Sequence, residues 1–553
     1  MRRIWNCLIS SKNTLINLTM RFRIISVCFF FIFISSCGEN IPPVESSYES
    51  KILYLGNGTE PKDLDPHTVT GVPESKILMA LIEGLVIRHP DGLEPLPGIA
   101  KSWDISSDGK EYIFHLRDAL WSNGDPVTSY DFVYAWNRML MPSLGSKYPD
   151  MLYDVVNAEE FNKGLIDDFD LVGVKAIDAK TLKVNLRNPA PYFVELLAHY
   201  TTRPVHKDTI EKFGEMDSLG NQWTRPGNFV GNGPFTLEDW KLNQVIRVKK
   251  SSTYWDADRV KLKEIHFLPI DNVTREDFMF RSGRLHVTSS IPTEKIEVYR
   301  EEYPDQINIT PYYGTYYYSV NINKKPLDDK LVRQALSLSI DRQKIADKVA
   351  KGGQEPAFSF TPPDPNAYFP PTKLEYDPER AKALLETAGY TSEDLPTIEL
   401  LYNTSEGHQK IAEAMQQMWK ENLGINILLT NTDWKVYLSK QNTGDYEIAR
   451  AGWIGDYQDP KTFLDMMVTG RGNNQTGWSN EDYDNLLIKA ANSTSQRERF
   501  LYMYEAEKIL MDELPIIPIY TYTRIFMKHG SVKGWNPNLL DSHAYQYISI
   551  EDK

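Results

Sequence analysis

Apolar and polar positions alternate through residues 110–116 (KEYIFHL) and 181–186 (TLKVNL), the period of a strand with one buried face. A turn, Ser107-Asp108-Gly109, precedes the first of them. Between the two the period changes. Over 129–140 Phe132, Ala135, Trp136 and Met139 recur at three- and four-residue spacing, which predicts an amphipathic helix. The same reading predicts a strand at 52–55 closed by Gly56-Asn57-Gly58, strands at 397–402 and 425–429, and helices over 331–349, 378–387, 410–422 and 496–512. Strands and helices interleave along the chain, so the predicted class is α/β, or mixed α+β. A chain of 553 residues is too long for one core, and two or three domains are expected.

The first residues break this rhythm. Arg21 and Arg23 precede IISVCFFFIFISS, an apolar run of about a dozen residues where a membrane span needs ~20. A basic flank and a short apolar run are the marks of an export signal, read here as 1–36. The run ends in Ile34-Ser35-Ser36-Cys37-Gly38, which resembles the lipobox of bacterial lipoproteins; that resemblance implies cleavage before Cys37 and a lipid on it. The Met20-Arg-Phe-Arg stretch also suits a start of translation at Met20. Residues 37–50, rich in Pro, Ser and Glu without apolar periodicity, read as a lipidated tether.

Charge and cysteines fit export. The other two cysteines, Cys7 and Cys28, precede the cleavage point, so no disulfide is expected in the exported chain. Residues 1–36 hold five Lys and Arg and no Asp or Glu, which leaves 56 basic against 75 acidic residues, a net charge of −19. So acidic a chain is unsuited to nucleic acid and to binding anionic lipid by charge. Tyrosine is abundant, at 31 residues, and its flat apolar ring and hydroxyl suit contact surfaces and domain seams alike. No phosphate loop, zinc-ligand spacing or serine-hydrolase elbow occurs, so no cofactor or metal is expected.

One stretch asks for chemistry. Residues 448–460 (IARAGWIGDYQDP) begin as a buried strand yet carry Arg450 and Asp456. If the run is extended, Arg450, Gly452, Ile454 and Asp456 share a face, and six steps of ~3.3 Å part the two charges by up to ~20 Å. They are then too far apart to neutralise each other. Either each has its own internal partner, or a ligand supplies both. An extended peptide of three to five residues spans ~10–17 Å and carries an ammonium at one end and a carboxylate at the other.

Three stretches together resemble the extracytoplasmic solute-binding proteins of ABC importers for oligopeptides, dipeptides and nickel. They are LDPHTVTGVPES (64–75), followed by EGLV, the segment GIAKSWDISSDGKEYIFHLRDALWSNGDPVTSYDFVYAW (98–136), and ARAGWIGDYQDP (449–460). Weaker similarity runs through GNGPFTLEDW, FRSGRLHVTSSIP, LYNTSEGHQK and LPIIPIY, and the whole covers nearly all of 50–553, on the oligopeptide-binding side of the family. Most of 98–136 reads as scaffold, with Gly124 giving a positive φ in the turn before Pro126.

The resemblance implies a two-lobed fold with an additional domain and the ligand enclosed between the lobes. It implies lobe I from 51–82, 208–312 and 524–553, an extra domain at 83–207 and lobe II at 313–523, with crossovers near 312–315 and 520–524. It implies that Asp456 pairs with a peptide α-amine, that Arg450 and His408 take the carboxylate, and that Lys325 serves another peptide length. Trp434 and Trp453 line the pocket, Val72 offers a backbone contact, and strand edges near Gly452 and 315–318, including Tyr316 and Tyr318, bond the peptide main chain. The partners implied are short peptides, an importer permease and, through Cys37, a membrane on the periplasmic side; the protein is expected to be a monomer and not an enzyme.

Three departures from relatives stand out. Gln441 replaces an arginine, Thr70 replaces a glutamate, and a cysteine pair maps onto Gly314 and Ile454. The first two leave room for a murein-tripeptide receptor of the same fold. A lipid-anchored hydrolase is the alternative from another class.

Overall fold

A computed structural model describes residues 41–553 except 364–367, 371–374, 392–393, 494 and 553. The expected export signal, 1–36, and Cys37 lie outside the described residues. The described chain opens on helix α1 (Pro43–Ser50), within the stretch expected to be a tether. Pro43 at its first position has the helical φ built in. Val44 and Ser47, one turn apart, are buried. The Val44 N–H donates to Gly283 O (2.9 Å), and Ser47 Oγ meets His286 Nε2 (2.9 Å). Two buried side chains on about two turns leave no periodicity for a pattern search to find.

Helix α2 (Val72–Leu81) follows the first strand, Ile52–Gly56. That strand runs parallel to Glu264–Leu268, and antiparallel Val245–Lys250 and Phe235–Lys241 complete a four-stranded sheet. A second sheet, fully antiparallel, orders Ala100–Ile105, Glu111–Leu116, Thr181–Asn185 and Val174–Asp178. Leu53, Ile265 and Phe267 of the first sheet and Phe114, Leu182 and Val184 of the second belong to one continuous apolar core.

The third sheet carries the site. Its main strands are β1 (Ile307–Val320), β2 (Ile398–Asn403), β3 (Ile448–Ile454) and β4 (Ile516–Met527), with helices α3 (Glu406–Leu423) and α4 (Trp434–Thr443) between β2 and β3. The sheet runs Glu355–Pro356, β4, β1, β3, β2, Ile427–Thr432. β1 is antiparallel to both β3 and β4, whereas β2 is parallel to β3. Register breaks at Pro311/Thr315, opposite Thr523 and Thr521. Before the break Ile307 and Ile309 pack with Phe280 and Leu285; after it Tyr316 and Tyr318 pack with α3. The two longest strands thus run side by side from one packed body into another, at the stretches where crossovers were expected.

The expected helix at 331–349 is broken. Lys330–Leu338 ends, Asp341 caps a new turn by accepting from Lys344 N–H (2.9 Å), and the chain continues through a wider π-turn, Ile345–Ala350. Arg342 is buried at the break, donating to Pro518 O (2.7 Å) and to Ser337 O and Oγ (3.0 and 2.7 Å). Both polar roles override a continuous apolar period. Among the described residues no helix is long and apolar enough to cross a membrane.

Candidate functional site

β3 has a partner on both sides only at its start. Toward β1 it is paired from Ile448 to Ile454, but toward β2 only Ile448 and Ala449 are matched. From Arg450 onward the outer edge of β3 has no ladder partner among the described residues and borders a cavity of about 420 Å³. This is the size expected of a small-molecule site, ~300–1,000 Å³. By contrast Thr315–Tyr318 lie between β3 and β4 with their backbone paired on both sides, so the edge expected there does not exist. Tyr316 and Tyr318 are fully buried behind the cavity wall, and Tyr317 lines it instead.

Arg450, Trp453, Asp456, His408, Trp434, Gly452 and Val72 all line this one cavity. Lys325 does not; it is exposed in the turn before Lys330–Leu338. Gln441 and Thr70, two of the departures from relatives, also line it. Gly314 and Ile454, the third, are directly opposed across β1 and β3. A Cβ on Gly314 would sit 2.4 Å from Ile454 Cδ1, so the isoleucine fills that space.

Arg450 points into a cage of phenols. Its Nη2 donates to Tyr522 Oη (2.8 Å), Nη1 to Asn403 Oδ1 (3.4 Å), and the guanidinium lies 4.9 Å from the Tyr316 ring centre. Its buried Nε has no hydrogen-bond partner, and it forms no ion pair among the described residues. His408, at the first turn of α3, meets Tyr316 Oη through Nδ1 (3.3 Å). Burial, with Arg450 close by, holds the His408 imidazole well below its ordinary range, so it stands neutral beside a fixed cation. Gly452 is required by close approach: a Cβ there would lie 2.4 Å from Tyr522 Oη.

Asp456 lies past the end of β3, so the alternation that places Arg450, Gly452 and Ile454 on one face stops two residues short of it. Its side chain is 11% exposed. Thr462 Oγ1 donates to Oδ2 (3.2 Å), and His199 Nε2 stands 3.2 Å from Oδ1. Burial pulls His199 below its ordinary value even with the carboxylate adjacent, so at neutral pH the contact is a hydrogen bond from a neutral ring. Arg88 donates to the main-chain O of Asp456, not to its carboxylate, and feels the charges of both Glu195 and Asp456 without pairing with the latter. The carboxylate therefore has company, which sequence reasoning missed, but no lysine or arginine paired with it among the described residues. His199 and Arg88 come from 83–207, and neither HYTTRP nor VIRHP carries a signal of its own. Tyr148 closes the corner, its ring 5.3 Å from His199 and 6.0 Å from Trp453.

The cavity thus holds an unpaired guanidinium and a carboxylate faced by a neutral imidazole, along a strand with a free edge. Among the described residues no group of His, Cys, Asp and Glu is arranged to hold a metal. An α/β fold with such an enclosed, charged site defines a solute-binding protein. The chain belongs to the bacterial extracellular solute-binding proteins, family 5, whose description matches residues 94–475.

Its relatives within that family are close. It is 40% identical over 510 residues to the periplasmic oligopeptide-binding protein OppA of Escherichia coli K12, covering 90% of this chain and 91% of that one. The structure of Haemophilus influenzae OppA complexed with RPPGFSPFR superposes with a TM-score of 0.87 at 34% identity, covering 91% of this chain and 99% of that one. The E. coli murein tripeptide binding protein MppA gives 0.87 at 37% identity, with 91% and 99% covered. The unliganded open form of MppA gives 0.61, so this chain's bodies are not disposed as in that open form.

Proposed function

We propose that this protein is the extracytoplasmic peptide receptor of an ABC importer, capturing short oligopeptides by their termini and backbone. The observation that carries this is the pair of opposite charges, Arg450 and Asp456, each lining one cavity without an opposite fixed charge paired to it. A peptide with free ends supplies both counter-charges. Its main chain can bond to the free edge of β3 at Gly452, which ignores side-chain identity. Asp456 takes the α-ammonium, with His199 and Thr462 orienting the carboxylate. Arg450 takes the α-carboxylate, with His408 as a neutral helper. Lys325 stands outside the cavity and has no part in this reading.

The lobes we propose are 51–82, 208–312 and 524–553 against 313–523, with 83–207 as the additional domain; β1 and β4 form the hinge. Closure over the ligand would present a surface to the permease. The protein is proposed to act as a monomer, without catalysis, anchored through a lipid on Cys37. Cys37→Ser should release it from membranes into the soluble fraction.

A second reading, a murein-tripeptide receptor, is favoured by Gln441 in the cavity where an arginine stands in oligopeptide-binding relatives. Native mass spectrometry of the protein purified from its host, without added ligand, tests both. Peptides of free amino terminus are expected, and either their absence from the native protein or their undiminished retention by Asp456→Ala would end the proposal.

A further inference from the structure

Arg450 is not the cavity's only cation without an ion-pair partner. Lys76 stands on α2 with Val72, Pro73, Ser75 and Met79, all of which line the cavity. Two acids lie near it, and both have their oxygens engaged elsewhere. Asp541 Oδ2 accepts from Arg524 Nε (2.6 Å) and its Oδ1 meets His543 Nε2 (2.9 Å). Glu276 Oε1 accepts from Ser289 N–H (2.7 Å), and its Oε2 from Ser289 Oγ and Ser290 N–H (2.9 and 3.3 Å). Asp271, a third acid on the cavity wall, is exposed. Lys76 forms no ion pair with any of them.

Asp541 stays ionised, but Arg524 and His543 share its charge, so Lys76 feels it without pairing with it. Burial pushes Glu276 up to about 7, so much of it is neutral at physiological pH. The low-dielectric surroundings, with Arg524 as a second positive charge, bring Lys76 down to about 8. The ammonium is still mainly charged at neutral pH, in a place that disfavours charge. A half-buried cation of this kind, without an ion-pair partner, is relieved by an anion that arrives from outside.

Resting on the peptide-receptor reading, we infer that Lys76 forms a second anion subsite, taking a carboxylate of the ligand other than its terminal one. The ligand class is an acidic short peptide, whether an α-linked peptide with Asp or Glu or a cell-wall peptide with an extra carboxyl. The amine and terminal carboxylate are spoken for by Asp456 and Arg450, so this contact is set by one side chain and gives a preference the main-chain bonds cannot.

The test is calorimetric titration of native protein, Lys76→Arg and Lys76→Met with Ala-Ala-Ala, the three tripeptides that place Glu at each position among alanines, their Gln counterparts, and the murein tripeptide. At one position Glu should bind at least tenfold tighter than Gln to the native protein. Lys76→Arg should keep that ratio, and Lys76→Met should reduce it to about one while leaving the Gln peptide within twofold. If only the murein tripeptide loses affinity in Lys76→Met, the carboxylate comes from the cell-wall source. An unchanged ratio in Lys76→Met, or no position with a preference and no loss for the murein tripeptide, overturns the inference. Failure of native protein to bind any peptide, Ala-Ala-Ala included, removes the receptor reading and this subsite with it.

Discussion

Asp456→Asn removes one charge while keeping the shape of the side chain, with one oxygen left to meet His199 and an amide NH2 left to face Thr462. The group it would face, a peptide ammonium, lies in a pocket where Asp456 is 11% exposed. At an effective dielectric of ~20 and a separation of ~4 Å the gross attraction is about 4 kcal/mol. Truncating one member of a buried, hydrogen-bonded charge pair costs ~2–5 kcal/mol in binding, or roughly thirtyfold to a few thousandfold in Kd. The assay is a double cycle by calorimetry: native and Asp456→Asn, each with Ala-Ala-Ala and its N-acetyl form. Acetylation should cost the native protein a factor in that range and cost the variant little, because its partner is already gone. The melting temperature should move by only a few degrees, since no Lys or Arg within ion-pair distance loses its partner and Arg88 keeps Glu195. If acetylation costs both proteins equally, Asp456 does not meet the amine, however large the single loss may be.

The remaining predictions concern the same cavity. Affinity should be bell-shaped in pH: His199, held below its ordinary value by burial, becomes cationic only on acidification past that value, and then competes with the ligand amine for Asp456, so affinity falls on the acid side. Above ~8 the free α-amine loses its proton and affinity falls again; His199→Asn should remove the acid limb alone, and an unchanged limb would refute the competition. Arg450→Met should weaken peptides with a free carboxylate by ~2–5 kcal/mol but not their amides, while raising the melting temperature, because an unpaired buried guanidinium is removed. A melting temperature that falls by several degrees would mean Arg450 is structural. Gly452→Ala should displace Tyr522, whose hydroxyl would lie 2.4 Å from the new methyl, and so loosen Arg450; titration should show at least tenfold weaker binding that Tyr522→Phe partly restores in the double variant.

Much of the scaffold could be read from periodicity because its burial is one-sided. The helix Ser129–Leu140 and the strands Glu111–Leu116 and Thr181–Asn185 each present a single apolar face to one core, and their patterns carry it. Patterns failed where polar groups set the backbone. Asp341 and Arg342 end a helix through hydrogen bonds, and α1 docks by two residues. The site was legible where it is continuous in sequence, from Arg450 to Asp456. It was not legible where the fold supplies partners from afar: His199, Arg88 and Tyr522 reach these residues only after the bodies pack. Nor does alternation reveal whether a strand is central, which is why Tyr316 and Tyr318 seemed available and are walled in.

Helix α1 has a bearing on geometry at the cell envelope. It is fastened to Gly283 and His286, so it belongs to the rigid body of the protein and adds no slack. With an acyl chain on Cys37, six peptide steps join the anchor to Pro43, at most ~22 Å when fully stretched. The receptor would then ride on the bilayer like a float on a short line, with the α1 side turned toward the lipid and a small set of tilts allowed. So anchored, its search for the translocator would become two-dimensional, its stance limited by eight residues that look, in the sequence, like mere string.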